Sequence, residues 1–358
     1  EIVVNTWPTS RWLGEQLAKA NGISALVRFP FPGSRLRQLV RCILDLDPST
    51  EDPWRAERLV WSVLKVLPAL LDHPTAESLN LWWEQHASVS GRLNRDHWQL
   101  ARCLADAVDD YALYRPQELS QWMEGHGDAD LPEHLLWQPQ LVRALAALLP
   151  CDPFGLQVQK AVQQLKDGDV SATALPPRLR LFGISNLAPV QVELLQGLSG
   201  LMAIELYLLT PCPDLWQRSE QRRQTLGQAW NTPPDGPWLL ESPRLEAILG
   251  RMGAEFQLLL EGNGDCLLGQ WDQGDLFAAP VQIAASEQRA ATLLEQVQQQ
   301  LVDGSAPSLT PVDQDNSLRF LACAGPWREV QLVRDQILQW LASDPSLEPR
   351  DVLVMTPD

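Results

Sequence analysis

The stretch PRLRLFGISNLAPVQVELLQGLSGLMAIELYLLTPC, residues 177–212, decides the fold class. PRLRLFGIS reads as a strand, LAPVQVELLQGLS as an amphipathic helix and LMAIELYLLTPC as a second strand. Strand, helix and strand in succession are the mark of a parallel α/β sheet, because a crossover must carry the chain back along it. Working outward, the chain opens on EIVVNTW, whose IVV is a short buried-strand run. TWPTSR then reads as a turn with Thr9 or Ser10 available as an N-cap. WLGEQLAKA has helical spacing at Trp12, Leu13, Leu17 and Ala18. VRFPFPGS predicts a stiff, extended connector, since Pro30 and Pro32 remove donors and push their neighbours out of helix. RLRQLVRCILDL is a second helix, with its arginines opposite Leu36, Leu39, Val40 and Ile43.

Residues 50–170 read as wholly helical, with helices over 54–72, 76–88, 94–114, 117–124, 134–149 and 156–166. HP, YRP and LPCDP punctuate them, Asp52 or Pro53 can open the first, and LWWEQH reads as core. Segment 213–275 is mixed: WNTPPDGPW and EGNGDCLLGQWDQGD are loops around a helical PRLEAILGRMGAEFQLLL. EQRAATLLEQVQQQLVDG is a further helix, and the polar, proline-bearing SAPSLTPVDQDNS marks a linker. After it come SLRFLACAG (strand), PWREVQLVRDQILQWLAS (helix) and DVLVMTPD (strand). The layout is α/β over 1–49, a helical insertion over 50–170, the remainder of the α/β domain over 171–305, a linker over 306–315 and the start of a second α/β domain over 316–358. No repeat of fixed period is present.

At 358 residues and 45% hydrophobic composition the chain can bury more than one core. It starts and stops abruptly and reads as a fragment of a longer protein. No run approaches the length of a membrane span, so no membrane is expected. The six cysteines are about fifty residues apart, neither a zinc spacing nor a disulfide framework, and suit a reduced, cytoplasmic chain. All five histidines lie between His73 and His134 without an HExxH, which argues against histidine-based metal or nucleophile chemistry. A net charge of −17 argues against a generic nucleic-acid coat. The sum hides a gradient, however. Residues 1–43 carry Arg11, Lys19, Arg28, Arg35, Arg37 and Arg41 against Glu1 and Glu15.

A nucleotide-binding P-loop needs GxxxxGK[ST], whose amides and lysine cradle the phosphates. No glycine in the chain is followed by lysine. The turn in LFGISNLAPV offers Gly183, Ser185 and Asn186 where an acidic residue would hold Mg²⁺, and it lacks the spacing of a GxSxG elbow. ATP hydrolysis and other catalysis by this chain are therefore not expected. DDYALYRP, residues 109–116, poses the main chemical question. On a helix turning about 100° per residue, Asp106, Asp109 and Asp110 gather on one side. Ala101, Leu104, Val108, Tyr111 and Ala112 gather on the other. The adjacent carboxylates point apart, which disfavours a catalytic pair. A solvated acidic face, a metal site built from three aspartates, and a nucleic-acid surface remain open. In the last, carboxylates accept hydrogen bonds from exocyclic base amines.

Several segments in order resemble the RecC family, the gamma subunit of exodeoxyribonuclease V (RecBCD). They are IVVNTWPTSRWL, RFPFPGSRLRQLV, DDYALYRPQELSQWMEG, LFGISNLAPVQVELLQGLS, LYLLTPCPDLW, PWREVQLVRDQIL and LEPRDVLVMTPD. The resemblance implies a superfamily 1 helicase-like, P-loop-type parallel sheet domain that has lost its ATPase motifs. It further implies a large helical insertion and the start of a second α/β domain. It implies a non-catalytic, DNA-binding subunit in double-strand-break repair by homologous recombination. Such a subunit binds forked duplex and single-stranded DNA, splits the duplex and sends the 3′-ended strand to the nuclease of a RecB-like partner. A RecD-like subunit is the other partner, ATP and Mg²⁺ are held by partners and not by this chain, and a channel surface reads the hotspot Chi. The family's reading positions fall on Asn5, Trp7, Arg11, Phe31, Arg37, Asp106, Ala107, Asp109, Asp110 and Arg115. Asp106, Asp109 and Arg115 keep the family's residue type. Trp7, Arg11, Phe31, Arg37, Ala107 and Asp110 depart from it, and of these Trp7, Phe31, Arg11 and Arg37 favour stacking and phosphate contact. Two other readings fit the same chain: an AddB-like helicase or nuclease subunit with catalytic motifs elsewhere, or a scaffold for partner subunits.

Overall fold

The structure, a computed structural model, describes residues 1–47, 51–86, 93–127, 131–168, 170, 175–212, 252, 253, 256, 259, 260, 277–303, 309, 310 and 312–356. The loops expected at 230–238 and 261–275 lie outside the described residues. So does the helix expected at 243–260, except Met252, Gly253, Phe256, Leu259 and Leu260, which are helical. The chain forms two compact units, Glu1–Phe277 and Ala278–Asp358, a boundary that falls ahead of segment 306–315.

The first unit is α/β, with a small parallel sheet and mostly helices. Its strands are β1 (Ile2–Val4), β2 (Arg178–Phe182) and β3 (Ala203–Tyr207), in spatial order β1-β2-β3. Ile2 sits opposite Arg180 and Val4 opposite Phe182, while Phe182 sits opposite Tyr207. One face of the sheet, through Val3, Leu179 and Leu181, enters the main core. That core is completed by α2 (Pro32–Ile43), α8 (Phe154–Asp167) and α9 (Pro189–Leu198). The helix α9 is the β2–β3 crossover that residues 177–212 predict. Leu36, Leu39, Val40 and Ile43 are the buried face of α2, as their spacing requires.

The first helix, α1 (Trp7–Asn21), begins earlier than TWPTSR suggests. Thr6 is its N-cap, its hydroxyl accepting from the Thr9 N–H at 3.2 Å, so neither Thr9 nor Ser10 caps it. Ser10 instead donates back to the Trp7 carbonyl at 2.7 Å. Pro8 is compatible with a first turn, where its missing N–H leaves nothing unmade. The connector behaves as expected: the Ile2 and Val4 N–H groups donate to the Arg28 and Pro30 carbonyls at 3.0 and 3.1 Å. It therefore runs along the outer edge of β1.

The helical block comprises α3 (Ala56–Leu71), α4 (Glu77–Gln85), α5 (Arg95–Tyr114), α6 (Pro116–Met123) and α7 (Trp137–Leu148). Leu59, Val63 and Leu67 of α3 meet Ala101, Leu104 and Val108 of α5 and Leu141 and Leu145 of α7 in a second core. Each leucine buried there stabilises by roughly 1.5–3 kcal/mol. LWWEQH lies at the edge of this core, with Trp83 packed against it. Trp82 and Trp83 are half-buried and stack on His86 and His97, with Trp83 and His97 centroids 3.6 Å apart.

In the second unit, helices α10 (Pro280–Ser286), α11 (Leu293–Asp303) and α12 (Pro326–Ser343) form. The strands expected in SLRFLACAG and DVLVMTPD do not form among the described residues. A strand needs neighbours to satisfy its backbone and cover its side chains, and two short segments do not supply them. Phe320 and Met355 are accordingly 89% and 85% exposed.

Candidate nucleic-acid interface

At the carboxyl end of β1 the chain turns through Asn5 and Thr6 directly into α1. This places Asn5, Trp7 and Arg11 on the surface, with Trp7 72% exposed. The connector's pairing with β1 delivers Phe31, the residue ahead of α2, to the same spot. The Trp7 and Phe31 rings meet edge to face, 5.4 Å apart and at 90°. Such a pair contributes about 0.5–1.5 kcal/mol beyond its buried area and fixes the orientation of the exposed indole. Trp7 and Phe31 are thus brought together as an aromatic corner, with the cation of Arg11 close by in sequence.

Arg37 lies six residues beyond Phe31, about 9 Å along α2, and is turned into the protein. Its side chain is only 16% exposed. It forms an ion pair with Asp52, lies 3.5 Å from an Asp109 oxygen and has its guanidinium 4.3 Å above the Phe154 ring. The second Asp109 oxygen accepts the Ala56 N–H at 3.1 Å, at the start of α3. Asp52 accepts the Trp54 N–H at 3.0 Å, and the Trp54 indole donates to the Cys151 carbonyl at 2.6 Å. One arginine therefore ties α2, the entry to α3, α5 and α8 into a single latch. Burial pushes the Arg37 pKa down, against the opposing pull of Asp52 and Asp109. Burial likewise raises Asp109 above the ordinary carboxylate range, against the Ala56 hydrogen bond and Arg37. Desolvation outweighs pairing at both partners, so the cluster is held together by the packing around it. Arg37 and Asp109 are thus mostly withdrawn from solvent into one internal cluster, 16% and 22% exposed, unlike Asp106 and Asp110.

The helix α5 is capped by Asn94, which accepts the His97 N–H at 2.8 Å, and it runs to Tyr114. Ala101, Leu104, Val108 and Ala112 are buried, whereas Asp106, Ala107 and Asp110 are exposed. Asp106 pairs with Arg102 at 3.1 Å one turn earlier. Tyr111 is half-buried, meets Trp122 edge to face and donates to Gln138 at 3.0 Å. Arg115 ends α5 and immediately precedes α6, its N–H donating to the Tyr111 carbonyl at 2.8 Å. Its guanidinium sits 5.6 Å from the Tyr111 ring and 3.6 Å from Glu118, open to solvent. Among the described residues no three His, Cys, Asp or Glu side chains converge to hold a metal ion. Also among them, no helix is long and apolar enough to cross a membrane.

A family model described as RecC, N-terminal domain, matches residues 1–304. The chain belongs to the RecC family. Among its relatives, a protein named RecBCD enzyme subunit RecC from Mycolicibacterium smegmatis is 32% identical over 374 residues. That alignment takes in 100% of this chain and 30% of the relative. The Mycobacterium tuberculosis protein of the same name is 31% identical over 375 residues, covering 100% of this chain and 31% of the relative. The Escherichia coli K12 protein is 28% identical over 392 residues, covering 100% and 34%. The chain thus spans about a third of the length of the curated relatives it matches.

Asp52 does not open α3, which starts at Ala56 after Arg55; its place in the latch, that of Phe154 and the close contact at Gly155 have no local sequence pattern of their own. A β-carbon on Gly155 would lie 2.0 Å from the Ala112 carbonyl oxygen and 2.7 Å from the Pro116 β-carbon. The YRP elbow between α5 and α6 therefore rests directly on the start of α8. The one signal in the sequence is a glycine just inside a proline-led helix start, DPFG.

Proposed function

We propose that this chain is the amino-terminal part of a non-catalytic, RecC-like subunit of exodeoxyribonuclease V, acting in double-strand-break repair by homologous recombination. The carrying observation is the alignment of 100% of the chain with proteins named RecBCD enzyme subunit RecC. In this reading the sheet domain is of the superfamily 1 helicase, P-loop type, built from 1–49 and 171–305 and interrupted by a helical insertion over 50–170. A second such domain starts at 316–358. The turn after β1 supports a lost nucleotide site: Asn5 and Thr6 lead straight into α1, with none of the glycines and no lysine that phosphates require. ATP and Mg²⁺ belong to RecB-like and RecD-like partners.

DNA contact in this reading falls on two surfaces. Trp7 and Phe31 supply rings for base stacking and Arg11 a phosphate contact, a sequence-tolerant mode. Asp106, Asp110 and Arg115 present a polar face able to accept from base amines and donate to base edges. Any reading of a Chi-like hotspot would use this second face. Arg37 and Asp109 hold the two surfaces in register without touching DNA. The test is single-stranded DNA binding by the complete complex across a salt series. Arg11→Ala should weaken binding and flatten the salt slope by about one unit. A complex that binds no single-stranded DNA, or whose binding ignores Arg11 and Trp7, would rule the reading out in favour of a scaffold.

A further inference from the structure

The sheet face turned away from the main core carries a second row of rings. By register Val4, Phe182 and Tyr207 are cross-strand neighbours at the carboxyl ends of their strands. They point opposite to Val3, Leu181 and Leu206, which pack in the core. Trp12 of α1 stacks on Phe182, with centroids 6.1 Å apart at 30°, and Phe182 lies 6.2 Å from Tyr207. Trp12 and Tyr207 remain 52% and 39% exposed. On the same face, towards the strands' amino ends, Arg178 and Arg180 both bond Glu205, at 3.0 and 2.7 Å. The Tyr207 hydroxyl donates to the same carboxylate at 3.1 Å. Two guanidinium groups against one carboxylate leave a local surplus of positive charge in a chain whose net charge is −17.

A sheet face destined to be covered by a protein layer reads as a continuous apolar run. Beyond Val4 and Phe182, which α1 covers in whole or in part, this one carries half-exposed rings and half-exposed arginines, the pairing that nucleobases and phosphates require. Its rings lie at the carboxyl ends of the parallel strands, where open α/β sheets bind their ligands. We propose that Trp12, Tyr207 and Arg178 form a second contact for single-stranded nucleic acid. A base stacks on the exposed rings and a neighbouring phosphate pairs with Arg178, while Glu205 holds the arginines in place. The proposal rests on the strand-handling reading above and extends it from the Trp7–Phe31 corner across the front of the sheet.

The experiment compares single-stranded DNA binding by the complete complex carrying wild-type chain, Trp12→Leu/Tyr207→Leu, Tyr207→Phe and Arg178→Gln. The double variant keeps apolar volume but removes both π-faces, and should weaken binding about tenfold. Tyr207→Phe keeps the ring and loses only the bond to Glu205, so it should bind more tightly than the double variant. Arg178→Gln should reduce the salt slope by about one unit. A double variant that binds normally overturns this inference, while wild-type binding that still depends on Arg11 leaves the wider reading standing. A double variant that fails to assemble or melts early shows a face buried against protein, and also overturns it.

Discussion

Replacing Gly155 by alanine should loosen the elbow that carries Arg115, and the expected cost follows from the contact geometry. The new β-carbon would sit 2.0 Å from a backbone oxygen and 2.7 Å from the Pro116 ring. Neither neighbour is the free end of a flexible side chain, so α8 must retreat from the elbow by about 1 Å or more. Overpacking of that kind costs about 1–3 kcal/mol, and a contact with backbone on one side belongs near the upper end. Against it stands at most about 1 kcal/mol of helix propensity gained by replacing glycine. The net expectation is about 2 kcal/mol of destabilisation. Gly33→Ala is the matched control: it too lies in the first turn of a helix, but a β-carbon there meets nothing within 4 Å. It should be neutral or stabilising by up to about 1 kcal/mol. Urea unfolding followed by hydrogen exchange on peptides covering 104–123 separates the two. With a chain of two units, the local exchange free energy is the better-defined quantity. Gly155→Ala as stable as wild type, with unchanged protection over 104–123, would refute the close-contact reasoning.

The latch gives three further expectations and the second unit one. Arg37→Ala leaves Asp52 and Asp109 buried without their cation and should cost about 3 kcal/mol in urea unfolding. Asp109→Asn keeps an acceptor for the Ala56 N–H and should cost clearly less than Asp109→Ala, which strands that donor. Because the folded Asp109 pKa lies above its ordinary 3.8, the burial penalty on its carboxylate is full above the raised value. It is relieved as pH falls towards 3.8, so wild type should gain stability relative to Asp109→Asn between neutral pH and about pH 4. A constant difference across that window would contradict it. In the second unit, hydrogen bonds from Arg289 and the Thr292 N–H hold Glu295 down at about 2. A carboxyl NMR titration should find it still ionised at pH 3, and Arg289→Gln should raise the midpoint.

The elements that could be read in the sequence are those whose signal is local. Residues 177–212 announce the crossover because strand, helix and strand each fit within one short window. The helix α2 was legible because Leu36, Leu39, Val40 and Ile43 repeat at helical spacing. The same spacing puts Arg37 on the side of α2 opposite its leucines, but says nothing of what covers that side. Its partners lie 15 and 72 residues away, and no local pattern reports that Asp52 and Asp109 fold onto it. The three aspartates of α5 share a side by geometry. Only the packing of α2 and α3 against that side distinguishes half-buried Asp109 from open Asp106 and Asp110. The start of α1 was misplaced because Pro8 signals both a turn and a first helical turn. The strands of the second unit failed for the opposite reason. Their residues have strand propensity, but propensity without neighbouring strands does not make a sheet.

In the proposed function the aromatic corner of Trp7 and Phe31 and the open face of α5 line the path of single-stranded DNA. The most direct measurement is a crosslink map of the complete complex stalled on forked DNA with photoreactive bases along its 3′-ended strand. The expected result is crosslinks at Trp7 and Phe31 and within 106–115, absent at the latched Arg37. Crosslinks confined to other parts of the complex, with both surfaces silent, would contradict it.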